Sequence, residues 1–140
     1  MPIKYTEAHD LRTIAEEIVE KLSWNHIFLE HVAFIRSFGS KSRGTIARCH
    51  ALGKAMQIGM GRQKGFYLVE VISERFDSLS KEEQVQTMIH ELMHIPKAFG
   101  GGFKHHNVVT EKNVKKIYDH YIKLKSQEES EEKEEDKKWF

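Results

Sequence analysis

Cysteine is almost absent from this 140-residue chain, in which Cys49 is the single example. One thiol excludes an internal disulfide framework and any zinc site built from several cysteines. A bound metal would therefore have to be held by histidine and carboxylate side chains. Because neither a disulfide framework nor a signal-peptide pattern is present, we expect a cytoplasmic protein.

Long hydrophobic runs are also missing. No apolar stretch approaches the roughly 18 residues that a spanning helix needs, so we expect no membrane partner. Hydrophobic residues make up 39% of the chain and charged residues 31%, which is typical of a soluble globular protein. We expect one domain over residues 1–125, with a modest core, followed by a tail at 126–140.

Acidic residues are absent between positions 31 and 69, where the basic stretch 36–64 carries seven cations. These are Arg36, Lys41, Arg43, Arg48, Lys54, Arg62 and Lys64. Such a stretch could contact nucleic acid or an acidic partner, or it could be an ordinary solvated sheet face. The tail has the opposite sign, since its seven acids and three lysines give a net charge of −4. We expect it to be disordered or a frayed helix.

Hydrophobic periodicity predicts an N-terminal helix that starts near Thr6 and buries one apolar stripe. Three segments after it are typical of strands: "HVAFIRSFG", "TIARCHALGKAMQIGMG", which we interpret as extended and bulged, and "FYLVEVIS". The alternation in the last segment favours a strand at or near a sheet edge, where an extended peptide could be added. A final helix is predicted from about Thr110. The pattern therefore predicts an α+β fold with a small three-stranded mixed sheet.

A further helix is predicted between the last strand and the final helix. Ser80 and Glu83 have the spacing of a capping box, so this helix should begin near Lys81. Pro96 cannot continue a helix and also restricts the residue before it, so the helix should end close to His94. The segment "HELMH" therefore lies in its last turns.

The spacing of His90 and His94 predicts a metal site. Residues four apart share one helix face, so both imidazoles can reach one ion. Glu91 is rotated around the axis, where it can contact a water on the ion without ligating it, which is the H-E-x-x-H arrangement of zinc hydrolases. Zinc with three protein ligands leaves one position for a water whose pKa falls to about 7, and a glutamate can take its proton. The alternative is that both histidines are ordinary surface residues.

The third ligand is predicted to follow the turn "IPKAFGGGFK". Three consecutive glycines allow backbone conformations that other residues rarely adopt, so the chain can return to the helix. Candidates beyond the turn are His105, His106 and Glu111. Adjacent residues usually point in different directions, so we expect only one of the two histidines to ligate, and we favour His106.

"HELMHIP", a short glycine-bearing turn and a histidine before the last helix together resemble the zincin metallopeptidases. In particular, the chain resembles small metallopeptidases of phages and archaea, which are distantly similar to SprT-like proteases, and the likeness covers about residues 28–125. It implies a minimal zincin-like fold, in which the sheet packs against an N-terminal helix, the H-E-x-x-H helix and a C-terminal helix. It also implies a Zn2+-dependent peptidase acting on peptides or proteins, with His106 as the third ligand. Asn107 stands where that family often has an acid.

Two other functions stay open. A metal-dependent endoribonuclease similar to the YbeY family would also have two histidines four apart, and the basic stretch 36–64 would then hold RNA. That family has a shorter spacer to its third histidine and does not need a glutamate at the position of Glu91. A peptide- or nucleic-acid-binding module with a structural metal is the other alternative, and it would require a fourth protein ligand.

Overall fold

A four-stranded mixed sheet forms the centre of the protein in this computed structural model, which describes residues 2–139. Its strands are β1 (Lys4–Glu7), β2 (Val32–Phe38), β3 (Ala47–Ala51) and β4 (Tyr67–Ile72), arranged in the order β1-β2-β4-β3. The central strands β2 and β4 are parallel, while β1 and β3 pair antiparallel at the two edges. The α+β prediction is confirmed, but the prediction of three strands was wrong by one.

The missed strand, β1, carries no sequence signal of its own. Its four residues "KYTE" are all exposed, so there is no buried alternation to detect. Backbone pairing with β2 creates the strand, from Lys4 opposite Phe38 to Glu7 opposite Ile35. Thr6 therefore lies in a strand, and the first helix begins at His9, later than the predicted start near Thr6.

Five helices accompany the sheet within the described residues. They are α1 (His9–Lys21), α2 (Lys54–Gly59), α3 (Ser73–Phe76), α4 (Lys81–Met93) and α5 (Glu111–Trp139). The core lies between one face of the sheet and the helices α1, α4 and α5. Strand register places Val32 beside Tyr67 and Phe34 beside Val69 on that face. Burial of these side chains, at about 25 cal/mol per Å² of apolar surface, holds α4 at a defined position over the sheet.

The segment predicted as one long bulged strand is divided into β3 and the short helix α2. The change of structure after Ala51 depends on Gln57, whose buried amide donates hydrogen bonds to the carbonyls of Arg62 and Gln63. Such polar contacts produce no hydrophobic periodicity. The prediction for this part of the segment was therefore wrong.

Helix α4 begins as the capping box predicted. The Ser80 hydroxyl accepts from the Glu83 amide at 3.1 Å, and the Glu83 carboxylate accepts from the Ser80 amide at 3.4 Å. A cap of this kind stabilises a helix by about 1 kcal/mol. The strands predicted in "HVAFIRSFG" and "FYLVEVIS" are likewise confirmed as β2 and β4.

Helix α5 continues without interruption into the acidic segment and is about 43 Å long at 1.5 Å per residue. Ion pairs from Lys125 to Glu17 and from Lys21 to Glu128 tie it to α1. The domain limit at residue 125 stays a prediction. No helix within residues 2–139 is long and apolar enough to cross a membrane.

Candidate metal centre

Three histidines meet at the C-terminal end of α4. The ring centroids of His90 and His94 are 5.2 Å apart, and the His106 ring lies 5.4 Å from the first and 4.9 Å from the second. One ring nitrogen of each lies within 4.8 Å of the other two. Zinc bonds of about 2.0 Å in a tetrahedral site separate nitrogen ligands by about 3.3 Å. Small side-chain rotations would thus bring the three nitrogens to the spacing of a zinc site.

His94 is held in one orientation by its surroundings. Its Nδ1 donates a hydrogen bond to the Lys104 carbonyl, and the Lys104 amide donates to the His94 carbonyl at 2.8 Å. The Phe103 ring stacks on the imidazole, with centroids 4.5 Å apart and planes 12° apart. Because Nδ1 carries the proton, the lone pair of Nε2 is free for a metal.

Burial keeps the imidazoles of His90 and His94 neutral. It lowers the pKa of His90 to about 4, and the charges of His94 and His106 act in the same direction. Burial also lowers the pKa of His94, although its hydrogen bond to the Lys104 carbonyl opposes this change. Metal ligation requires unprotonated nitrogen, so near neutral pH both residues are ready to bind without first losing a proton.

Glu91 is buried beside this cluster. Burial alone raises the pKa of its carboxyl group to about 7. Its Oε1 is 3.8 Å from Nε2 of His94, which is too long for a hydrogen bond. A group with this pKa can both accept and release a proton near neutral pH, as a general base must.

The turn after α4 brings His106 to the pair. Helix α4 ends at Met93, before Pro96, and the backbone then adopts a positive φ at Phe99 (48°) and at Gly101 (95°). Of the three glycines, Gly101 is the one whose conformation disfavours a side chain, and a Cβ there would also approach the Leu52 carbonyl to 3.1 Å. The predicted reversal at the glycines is therefore present, although it depends mainly on one of them.

The other two candidates for the third ligand lie outside the histidine group. His105 is exposed, and its ring is 5.4 Å from that of Phe103. Glu111 is the exposed first residue of α5 and lines the cleft in front of the histidines. Within residues 2–139, the only group with metal-binding geometry consists of His90, His94 and His106, with no fourth side chain.

A cleft of about 850 Å³ opens onto the three histidines and Glu91. Strand β3 forms one wall, and α4 with the start of α5 forms the other. Because β3 is the last strand in the sheet order, its outer edge has no partner strand among the described residues. Strand β4 is second from this edge, so the free backbone beside the cleft belongs to β3.

Two side chains of β3, Cys49 and His50, are explained by their contacts with neighbouring residues. Cys49 packs against the core, and burial, with the nearby Glu91 charge, raises the pKa of its thiol to about 12. The thiol therefore stays protonated and does not act as a nucleophile. His50 is exposed and contacts Glu70, with Nε2 and Oε1 2.8 Å apart.

The basic stretch 36–64 does not lie on one side of the sheet. Arg36 pairs in register with Val71, whereas Arg48 pairs with Glu70, so the two arginines lie on opposite faces. Arg36 also donates two hydrogen bonds to Asp10, of 2.6 and 2.7 Å. The prediction of nucleic-acid binding gains no support from this arrangement.

Phe103 and Lys104 contribute to the site but were missed by the sequence reasoning. Phe103 acts through ring stacking and Lys104 through its backbone carbonyl. A backbone contact leaves no trace in residue identity, so only the short distance in sequence to His106 could have pointed to them.

Comparison with known proteins agrees with the motif. A family model described as "Putative phage metallopeptidase" matches residues 3–126. No curated protein and no solved structure matches the chain at a significant level. The match confirms the resemblance to phage metallopeptidases that "HELMHIP" indicated. Since it spans most of the sequence, this chain belongs to the phage metallopeptidase family.

Proposed function

We propose that this protein is a zinc-dependent peptidase in which His90, His94 and His106 hold the ion and Glu91 is the general base. Membership of the family implies a metal ion and a peptide substrate, without specifying either. The observation that supports zinc binding and the role of Glu91 is the group of three histidine nitrogens within 4.8 Å of one another, next to a buried carboxylate.

The ligand set favours zinc in a catalytic role. Neutral imidazoles suit zinc among the metals that are common in proteins. Three protein ligands leave a coordination position open, whereas a structural zinc site would use a fourth. A bound zinc ion would supply a Lewis acid that polarises the scissile carbonyl and acidifies water. This argues against the module with a purely structural metal.

Glu91 supplies the proton transfer. Its carboxylate takes a proton from the attacking water and then delivers it to the amine that leaves when the peptide bond breaks. Without a metal, burial raises the pKa of Glu91 to about 7, so the carboxylate is a stronger proton acceptor than an exposed glutamate.

The free edge of β3 is the proposed binding site for the substrate backbone. An extended peptide can pair with an exposed strand, so that main-chain hydrogen bonds hold it independently of its sequence. A peptide added to β3 would run along the cleft and pass in front of Glu91. Zincins commonly bind extended substrates in this way, which agrees with the minimal zincin-like fold that we propose for this protein.

Hydrolysis by the zinc-loaded protein tests the proposal. Casein and a peptide library serve as substrates, with zinc content measured on every sample. We expect Glu91→Gln to keep its zinc and to lose at least about 100-fold in rate, because proton transfer contributes roughly 10²–10⁴-fold. Chelation of the metal should abolish cleavage, and added zinc should restore it.

His105→Ala is the matched control, because it removes a neighbouring histidine that lies outside the ligand group. It should keep both zinc and activity. Cleavage by Glu91→Gln at the parent rate would show that this carboxylate is not the base.

A further inference from the structure

Tyr67, at the start of β4, contacts the turn that leads to the third histidine. Its side chain is fully buried, and its hydroxyl donates to the Gly102 carbonyl at 2.7 Å. The same hydroxyl accepts from the Gly101 amide at 3.2 Å. Burial raises the pKa of Tyr67, against the effect of the Gly101 amide, so the hydroxyl keeps the proton that it donates. One side chain thus bonds two successive residues of the turn.

The turn needs such support because its backbone is strained. Phe99 has a φ of 48°, which is unfavourable for a residue with a Cβ. The Phe99 ring packs edge-on against Tyr67, with centroids 4.9 Å apart, and against Phe28 at 5.3 Å. The Gly65 amide donates to the Phe99 carbonyl at 3.0 Å, so this contact also comes from the segment just before β4.

The held turn leads directly to the histidine group. After Gly102 the chain reaches Lys104, which exchanges backbone hydrogen bonds with His94. It then reaches His106, whose ring lies against both histidines of α4. Any shift of the turn along α4 would move the Lys104 carbonyl off His94 and carry His106 with it.

We propose that Tyr67 is a positioning residue of the metal site, whose hydroxyl holds the Gly101–Gly102 turn in register with α4. It acts through the turn and contacts neither the metal nor the substrate. The inference rests on the proposed function, because it assumes that His90, His94 and His106 bind a metal. The inference adds that a residue of the sheet, outside the H-E-x-x-H motif, determines the geometry of the metal site.

Tyr67→Phe removes the hydroxyl and keeps the ring packing on Phe99. The Gly102 carbonyl and the Gly101 amide then lose their partner, and the turn can take up other positions. If the conformation that can bind the metal is populated less often, the apparent affinity for the metal falls by the same factor as that population. Loss of an outer contact at metal sites lowers metal affinity roughly 10–100-fold. We therefore expect about a tenfold weaker affinity for zinc.

Tyr121→Phe is the matched control. Tyr121 is also buried, and its hydroxyl lies near the Glu17 carboxylate where α5 packs on α1, so this variant also removes a hydroxyl with a polar neighbour. Zinc affinity is measured by competition with a chromophoric chelator, and the absorption spectrum of the cobalt-loaded protein reports ligand geometry. Thermal unfolding of each metal-free variant shows that it is folded.

Weaker zinc binding and an altered cobalt spectrum in Tyr67→Phe, with both unchanged in Tyr121→Phe, support the positioning role. An unchanged affinity and spectrum in Tyr67→Phe overturn it, and so does an equal loss in the two variants, which would indicate general destabilisation. If the parent protein binds no zinc, the proposed function fails together with this inference. If the parent binds zinc and Tyr67→Phe matches it, only the positioning role fails.

Discussion

Glu70 on β4 and Glu91 on α4 are buried to the same degree, each 4% exposed, but their surroundings differ. Glu70 lies 2.8 Å from Nε2 of His50 and 3.7 Å from Nη1 of Arg48. Burial raises the pKa of Glu70, but the nearby Ser37 hydroxyl, the hydrogen bond with His50 and the Arg48 charge lower it by more, so the pKa lies below its ordinary value. At Glu91 only burial acts, and the pKa rises to about 7.

This difference separates a structural carboxylate from a candidate catalytic one. A buried charge is costly unless it is paired, and most proteins pair it, as this one does at Glu70. A carboxylate left without such partners beside three histidines lowers stability and keeps a proton acceptor available. Burial therefore does not distinguish the two sites, whereas their partners do.

Among the substitutions that test this comparison, Glu70→Gln should have the largest effect on the free energy of unfolding. The amide cannot neutralise Arg48 and makes a weaker hydrogen bond with His50, so the free energy of unfolding should fall by about 1–2 kcal/mol, moderated because both partners are partly exposed. Denaturant unfolding at pH 7 measures the change. Glu16→Gln, at an exposed site of α1, is the control and should change stability by less than about 0.5 kcal/mol. A change at Glu70 no larger than this control would mean that the pairing contributes little.

Glu91→Gln should shift stability in the opposite direction in the metal-free protein. Replacing a buried carboxylate that lacks partners with a neutral isostere should raise the free energy of unfolding by about 1 kcal/mol. For a domain of this size, that corresponds to a midpoint roughly 3–6 °C higher in thermal unfolding. A loss of stability equal to that of Glu70→Gln would remove the distinction between the two carboxylates.

The smallest effect on stability is expected at the exposed pair of Asp10 and Arg36. This pair serves as a reference for the two buried glutamates. Asp10 accepts two hydrogen bonds from Arg36, and this contact lowers the pKa of Asp10 despite some burial. The lowered pKa stabilises the folded protein at pH values above the pKa that Asp10 has in the unfolded chain. This stability is lost as the pH falls through the pKa of Asp10 in the folded protein. The Asp10 side chain is 59% exposed, so Asp10→Asn should cost only about 0.5 kcal/mol at pH 7.

Unfolding of Asp10→Asn and the parent at pH 7 and near pH 2 tests this assignment. The difference in free energy should shrink at the lower pH, where the parent also carries a protonated Asp10. A difference that stays constant between the two pH values would mean that the carboxylate charge is not its source.

Elements with a strong local signal were predictable from the sequence. The capping box of Ser80 and Glu83 places the start of α4, and Pro96 places its end. The β-branched and aromatic residues of β2 and β4 mark both strands. By contrast, β1 exists only through its pairing with β2, and α2 depends on the buried amide of Gln57. These two elements arise from contacts between separate segments, which local patterns do not record.

The candidate site divides in the same way. The sequence by itself determined that His90 and His94 share one face of a helix with Glu91 beside them, because helix geometry follows from local hydrogen bonds. Only the tertiary structure decided that His106 and not His105 lies against that pair, since the turn depends on contacts with β4. It also decided that one buried glutamate is paired and the other is not, because pairing requires side chains from separate strands to meet.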